Sequence, residues 1–476
     1  PSPNRRMLSA VAEPRPANPS LMARLIAIEP GEGPTVWWSF IYLFAVFTAY
    51  YVIRPIRDEA GVAGGVNNLS WLFTGTLAAM VAVNTPFAAL VKRLPRSRFI
   101  ALTYRFFMVN LLVFLLLFTV SSGSANVWVG RAFFIWTSVF NLFVVSVFWA
   151  FMVDVFTTEQ GKRLFGFIAA AATLGGILGS SITAGTVKAV GVPVLLLVSA
   201  LLLEVGVQAS KRLGALEGLK AVAPGGDAGT AQAEQSAGSG GSGQAAQGPI
   251  GGSMWSGLTH ALSSPYLLNI AIYMLLYSLL STFLYFQQAE IVDRSFANRA
   301  ARTAFFSQVD LLVNVLTLFG QFFLTGRVMK AAGVRMTLTF VPALTAAGFL
   351  VLGVHPVAAV VVGFTVLRRA GNFAFARPTR EVLFTVVSRE DKDKAKSFID
   401  TVVYRLGDQV GAWSSSLVSM LNLGTGAIAW AAVPLSVAWV VNAAWLGRRQ
   451  EQLTASGTAP AAARASEDAA ARVAVV

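Results

Sequence analysis

Apolar runs of roughly 20 residues, each long enough to cross a bilayer core of about 30 Å as a helix, recur about twelve times along this 476-residue chain. Nothing else in the sequence narrows the fold so far. A backbone in hydrocarbon must satisfy its hydrogen bonds inside helices or a closed barrel, and a barrel would show short alternating segments instead. With 55% hydrophobic and 13% charged residues and a mean hydropathy of +0.63, the chain lies beyond what a soluble globular domain tolerates. The expected fold is an all-α membrane protein with twelve transmembrane helices, near 36–53, 69–91, 99–120, 127–153, 164–187, 192–210, 265–288, 304–326, 335–353, 357–376, 397–420 and 425–446.

Between the sixth and seventh runs lies a Gly, Ala, Ser and Gln stretch containing GSGGSG, which reads as a flexible linker. No Gly-Lys-Ser/Thr follows it and no strand precedes it, so a phosphate loop is not expected. The expected organisation is a tail over 1–34, a six-helix half over 35–212, the linker over 213–253, a second half over 254–447 and a tail over 448–476. A shift of 231 residues superposes Asn141 on Asn372, Glu159 on Glu390, Phe167-Ile168 on Phe398-Ile399 and Gly176 on Gly407. Repeated halves around a midplane site resemble the plan of major-facilitator transporters, in which one half rocks against the other.

The net charge of +14 would suggest nucleic acid in a soluble protein. Here the basic residues fall in alternate loops, and the positive-inside rule then puts both termini in the cytoplasm of a cell inner membrane. The exception is the loop from Asp293 to Arg302, with three arginines on the outer side. There is no cysteine, and the only histidines are His260 and His355, so neither a disulfide framework nor a thiolate or histidine metal site is expected.

Charge inside such a chain is costly, and a cluster of it marks a candidate substrate path. The densest cluster lies between Arg368 and Gly411. Arg368, Arg369 and Asn372 fall near mid-depth of the tenth run, where snorkelling does not easily reach water. They line a path for an anion, which guanidinium groups bind bidentately, or they pair internally with Asp310, Asp400 or Asp408. In the eleventh run Asp400 and Tyr404 share one helical face, as do Arg405 and Asp408. Arg405 either meets substrate or neutralises Asp408. Arg54, Arg57, Asp58 and Glu59 close the first run, as a gate or binding edge or as an interfacial anchor bent by Pro55. Arg105 and Arg131 lie close enough to span ends to snorkel. Asp310 and Asn314 share a face of the eighth run, where Asp310 is a proton site or the partner of an arginine. Gly175, Gly176, Gly179 and Ser180 read as a close-packing face. Tyr266, Tyr273, Tyr277 and Tyr285 are either stacking platforms or wall packing.

Three segments resemble the nucleotide-exchanging ATP/ADP translocases of plastids and obligate intracellular bacteria, a branch of the major-facilitator architecture. Ile53-Arg54-Pro55-Ile56-Arg57-Asp58 is similar to that family's first-span motif, with Arg57 where a nucleotide-binding lysine occurs. Phe148-Trp149-Ala150-Phe151, with the run from Thr157 to Gly166, resembles its fourth-to-fifth-span junction. Arg377-Pro378-Thr379-Arg380-Glu381, Lys394 to Asp400 and Arg405-Leu406-Gly407 resemble its tenth and eleventh spans. Two positions depart toward a more basic site: Thr137 stands where the family has a glutamate, and Arg377 where it has an aspartate.

The resemblance and the charge pattern together predict an alternating-access transporter of a small organic anion, a nucleotide such as ATP or ADP or another phosphorylated metabolite. Arg54, Arg57, Arg368, Arg369 and Arg405 are the expected cationic contacts, and Asn141 and Asn372 the hydrogen-bonding ones. Asp154, Glu159, Lys162, Arg163, Arg380, Glu381 and Lys396 are expected in ion pairs of a cytoplasmic gate, with Asp310, Asp400 and Asp408 as gate or coupling groups. A proton-coupled carrier of a carboxylate, peptide-like compound or drug is the first alternative. A binding or lipid-handling membrane protein without turnover is the second. The expected surroundings are a lipid bilayer and a monomeric state, with no catalytic residue, cofactor, metal or nucleic acid.

Overall fold

The computed structural model describes residues 28–456 apart from 30, 94–95, 223–263, 388–394 and 422. The described residues are almost wholly helical and contain no strand. Most of the expected linker and both tails lie outside them.

The helices are α1 Gly33–Ala63, α2 Leu69–Arg93, α3 Arg96–Val120, α4 Gly123–Val155 and α5 Thr158–Val222 in the first part of the chain. Then come α6 Pro265–Ser295, α7 Arg299–Phe319, α8 Thr325–Val354, α9 Ala358–Gly371, α10 Arg377–Leu383, α11 Tyr404–Met420 and α12 Gly424–Ala455. Among the described residues nine helical stretches are long and apolar enough to cross a membrane. Two of them are bent rods, because Gly191 in α5 and Gly333 in α8 take φ of 74° and 71°. Only glycine enters that left-handed region freely, so the chain kinks there without a loop. The outer face of α3 carries Leu102, Phe106, Val109, Val113, Leu116 and Val120, each at least 49% exposed and spaced three or four apart. A stripe of that kind would aggregate in water and belongs against lipid.

Several boundaries differ from those expected. α1 runs past Ile53 to Ala63 with Pro55 inside it, because the charged residues of that stretch are buried against partners from other helices. α5 continues through Val222 and α12 through Ala455, beyond the expected ends at 212 and 447. Helical π turns at Gly320–Leu324, Asn372–Ala376 and Ile399–Val403 adjoin α7, α9 and α11. Such turns widen a helix by one residue and are frequent at functional sites. The first two lie against each other, where Thr325 donates its hydroxyl to the Ala374 carbonyl at 2.7 Å.

Buried apolar side chains form one core from Val36 to Leu213 joined by Ala304, and a second from Tyr266 to Leu446. A third, containing Val62, Leu69, Phe134, Phe286, Val309 and Ala412, joins the two parts of the chain near the Ala63 end of α1. Glycines bring the inner helices close. A Cβ on Gly175 would stand 2.6 Å from the Phe44 carbonyl oxygen, and one on Gly179 2.5 Å from that of Thr48, so α5 lies on the backbone of α1. Gly407 and Gly411 place α11 against Leu275, Leu279 and Thr282 of α6 in the same manner. Gly179→Val is therefore expected to push α5 off α1 and cost about 1–3 kcal/mol or more. Gly185→Ala, in the same arm with nothing within 4 Å, serves as control. Thermal melts of the purified variants check this, and equal melting points would refute it.

Candidate functional site

The site forms where α1, α7 and α9 converge. At 1.5 Å per residue, Arg54 lies about 14 Å below the Ala63 end of α1, and Asp310 and Arg369 about 16 Å from the helix starts at that same end. All three therefore sit near the middle of a bilayer core of about 30 Å. Arg54 Nη1 and Arg369 Nη1 both donate to Asp310 Oδ1, at 2.5 and 2.7 Å. The Asp310 side chain is 2% exposed, and its second oxygen is buried without a partner. One carboxylate thus holds two guanidiniums, one from each part of the chain, and positive charge remains in excess. Snorkelling from this depth is not needed, because the arginines are held from inside.

Arg57 reaches Asp58 at 2.9 Å and lies 4.0 Å over the Phe134 ring. Asp58 also accepts from the Tyr285 hydroxyl at 3.2 Å, a contact between α1 and α6. One residue on, the buried Glu59 accepts from Arg299 Nε and Nη2 at 2.8 and 3.0 Å, and Arg299 also donates to Asn126. Trp71 meets Trp413 edge-on, Thr74 donates to Gln409, and Ser419 donates to Asn67 at this same end. The three arginines of the exceptional loop are all paired: Arg294 with Glu290, Arg299 with Glu59 and Arg302 with Asp293.

Arg368, next in sequence to Arg369, turns the other way into the second core. It is 3% exposed and donates to the Thr345 hydroxyl, the Tyr277 carbonyl and the Ser281 hydroxyl at 3.1, 3.2 and 2.8 Å. The Tyr277 and Trp439 rings lie beneath its guanidinium. Among the described residues no carboxylate pairs with it. Asn372 donates to the Tyr277 hydroxyl at 2.9 Å. Arg405 approaches Asp408 only to 3.5 Å, while Asp408 accepts from Ser278 and Thr282 at 2.6 and 3.2 Å. Asn141 is half-buried on α4, and among the described residues no hydrogen bond joins it to this cluster. Thr137, one turn away, spends its hydroxyl on the Phe133 carbonyl of its own helix.

Toward the Gly33 end the expected gate residues pair inside their own part of the chain. Lys162 meets Glu159 at 2.9 Å, and Arg163 meets Glu32 at 2.7 Å and Glu29 at 3.2 Å. Burial pushes the Glu32 carboxyl upward, but the Glu29 N–H, Gln160 and Arg163 outweigh it and hold the group below its ordinary value. Lys396 meets Glu381 at 2.6 Å and Arg380 meets Asp400 at 3.3 Å. Asp154 lies at the end of α4. Arg105 pairs with Glu204 at 2.9 Å, and Arg131 donates to the Gly64 carbonyl at 2.8 Å.

Sequence reasoning passed over Arg299, Glu29, Glu32, Ser278 and Thr282, and weighed Tyr285 only as a stacking platform or wall packing. A glutamate or arginine at a span end looks like ordinary interface charge, and serines and threonines inside a helix look like packing. Spacing along one chain says nothing about a partner more than a hundred residues away.

No protein-family model matches the chain. A stretch of 231 residues is 26% identical to ADP,ATP carrier protein 2 of Chlamydia pneumoniae, covering 42% of this chain and 42% of that protein. The chain thus matches well under half of the length of that curated relative. In three dimensions it is similar to the crystal structure of the nucleoside transporter NupG, with a TM-score of 0.52 and 15% identity over 88% of this chain and 99% of that one. At that identity the likeness is one of fold, an all-helical multi-pass membrane architecture. Both proteins are transporters and neither is an enzyme.

Proposed function

We propose that the chain is a secondary transporter of an organic anion, a nucleotide or another phosphorylated metabolite, working by alternating access between two six-helix halves. The observation that carries this reading is the guanidinium cluster at the junction of the halves. Arg54 and Arg369 share one carboxylate, and Arg368 is buried with none. Positive charge held at mid-depth by protein dipoles and one shared counter-ion is a place where an anion lowers the energy of the whole assembly. The carrier of nucleotides that this chain resembles over 42% of its length supports the substrate class.

In this reading the two bent rods and α11, with its π turn, complete twelve spans, and the Gly33 end faces the cytoplasm. Ion pairs and aromatic contacts at the Ala63 end bridge the halves, and those described at the Gly33 end stay within a half. The conformation is then closed outward, with Lys162, Arg163, Arg380 and Lys396 available to re-pair across the halves when the other side opens.

The test is exchange in liposomes, with labelled ATP outside and ADP, inorganic phosphate or no anion inside. Saturable uptake that needs an internal anion, and that falls at least about a hundredfold in Arg369→Gln, is the expected result. Loss of one charged hydrogen-bond pair to the substrate is worth roughly 1.5–3 kcal/mol, and loss of the Asp310 position adds to it. Uptake that instead follows a proton gradient and ignores internal anion would favour a proton-coupled carrier, the reading that the partnerless Oδ2 of buried Asp310 favours. Binding without turnover would leave the non-transporting alternative.

A further inference from the structure

Between the central cluster and the Gly33 end, α6, the Asn372–Ala376 turn and α10 enclose a small cavity lined by Tyr273, Met274, Tyr277, Asn372, Arg377 and Arg380. Its volume is about 10 Å³, barely enough for one water. What marks it is the state of its polar groups. Tyr273 is 2% exposed, and its hydroxyl has no hydrogen-bond partner. Arg380 Nε is buried and partnerless too. Its Nη1 donates to the Met274 sulfur at 2.6 Å, a weak acceptor for a guanidinium. Its Nη2 is divided between Asp400 at 3.3 Å and Glu381 at 3.9 Å. The Tyr277 oxygen accepts from Asn372 and keeps its own O–H to donate. Arg377 is exposed over the Phe373 ring, at 5.5 Å.

Buried donors without acceptors are costly, and a native interior holds few of them. Here two, the Tyr273 hydroxyl and Arg380 Nε, line one small space together with a second hydroxyl and a second guanidinium, those of Tyr277 and Arg377. The shortage is of acceptors. A ligand that brings several oxygen acceptors and negative charge would satisfy all of these groups at once, whereas a water could satisfy at most two. The thioether contact of Arg380 is the kind that such a ligand displaces at little cost. Tyr277 links this space to the central cluster, since its carbonyl and ring hold Arg368.

We propose that this cavity is an anion-binding station for the phosphate or carboxylate group of the transported solute, one step from the central cluster toward the Gly33 end. Tyr273 and Arg380 donate to its oxygens, and Arg377 lies at the mouth. The station rests on the reading of the chain as an organic-anion carrier, and it adds a second stop to the path. A solute handed from Arg369 to Arg380 passes from a junction between the halves to a site within one half, so it can stay bound while the halves rock.

The experiment is equilibrium binding of ATP and of inorganic phosphate to purified protein, by calorimetry, for wild type, Tyr273→Phe, Arg380→Gln and Arg369→Gln. Tyr273→Phe keeps the ring and removes only the hydroxyl, so it stays informative if Arg380→Gln fails to fold. Both station variants are expected to weaken ATP binding about tenfold, the worth of one hydrogen bond to a charged group. If wild type binds neither anion, the carrier reading itself falls. If wild type binds ATP and Arg369→Gln weakens it while Tyr273→Phe and Arg380→Gln do not, the carrier reading stands and the station is overturned. Loss of phosphate binding alone in Tyr273→Phe, with ATP unaffected, also overturns it, since the cavity would then hold free phosphate and not the solute.

Discussion

Asp310→Ala is expected to destabilise the protein by about 3–5 kcal/mol, the cost of removing one partner from a buried ion pair. The carboxylate is 2% exposed and is the acceptor for both Arg54 and Arg369. Without it two guanidiniums that met on one oxygen, each about a fifth exposed, face each other with little water to screen them. Three further outcomes separate this account from simple loss of packing. Asp310→Asn keeps the shape and still leaves the positive charges unbalanced, so it should be nearly as costly. Removing one of the two guanidiniums as well, in Arg54→Met with Asp310→Ala, should recover part of the loss, because Arg369 then no longer faces a second stranded charge. An anion that binds between the arginines should stabilise Asp310→Ala by about 2.7 kcal/mol at a hundred times its Kd for that variant, and wild type by less at the same concentration. Thermal melts of the four proteins, with and without ATP, measure all of this. An Asp310→Ala protein that melts with wild type would show that the shared carboxylate does not hold the halves.

That cluster shows which parts of the site can be read from a sequence. Charge inside apolar runs already picks out Arg54, Asp310, Arg368 and Arg369, because each is costly in hydrocarbon without a reason. Consecutive residues on a helix point about 100° apart, so Arg368 and Arg369 must face different neighbours, but the sequence does not say which of them faces the carboxylate. The choice depends on α7 crossing α9 beside α1, a contact between residues 59 and 256 positions apart. The closing of the Ala63 end is less legible still. Glu59 and Arg299 are 240 residues apart, and each alone looks like an interface anchor. The tyrosines divide after the event: Tyr266 is tied to the Leu383 carbonyl, Tyr285 to Asp58, and Tyr273 to nothing. By contrast the close packing of Gly175 and Gly179 was open to reading, since small residues four apart on an apolar helix have one common use. The second glycine pair, Gly407 and Gly411, stands one residue later than the 231-residue shift would put it. A shift found by matching letters is good to about one residue, and helix packing does not tolerate that error.

Arg299→Ala is expected to open the Ala63 end. Glu59 is 1% exposed and both its oxygens are used by Arg299, so the substitution strands a buried carboxylate in the closed state alone; in an open state water reaches it. Arg299 is itself 46% exposed, which places the effect at the low end for a buried pair, about 2 kcal/mol. A bias of that size changes the ratio of open to closed molecules about thirtyfold. The chain offers a clean readout, because it contains no cysteine and any introduced thiol is the only one. Ala412 is fully buried in the core that joins the two parts of the chain at this end, and cysteine adds only a sulfur there. Ala412→Cys should react slowly with a membrane-impermeant thiol reagent, and at least about tenfold faster when Arg299→Ala is added, with Glu59→Gln restoring much of the protection by removing the stranded charge. If the reaction rate does not change, the Glu59 and Arg299 pair is an anchor for a helix end and the seal lies in the aromatic contacts of Trp71, Phe73, Tyr285 and Trp413. If it changes as expected, the two parts of the chain separate at this end, and the free energy holding them there depends on an ion pair whose Glu59 is only five residues, about 8 Å along α1, from Arg54 and an anion bound there.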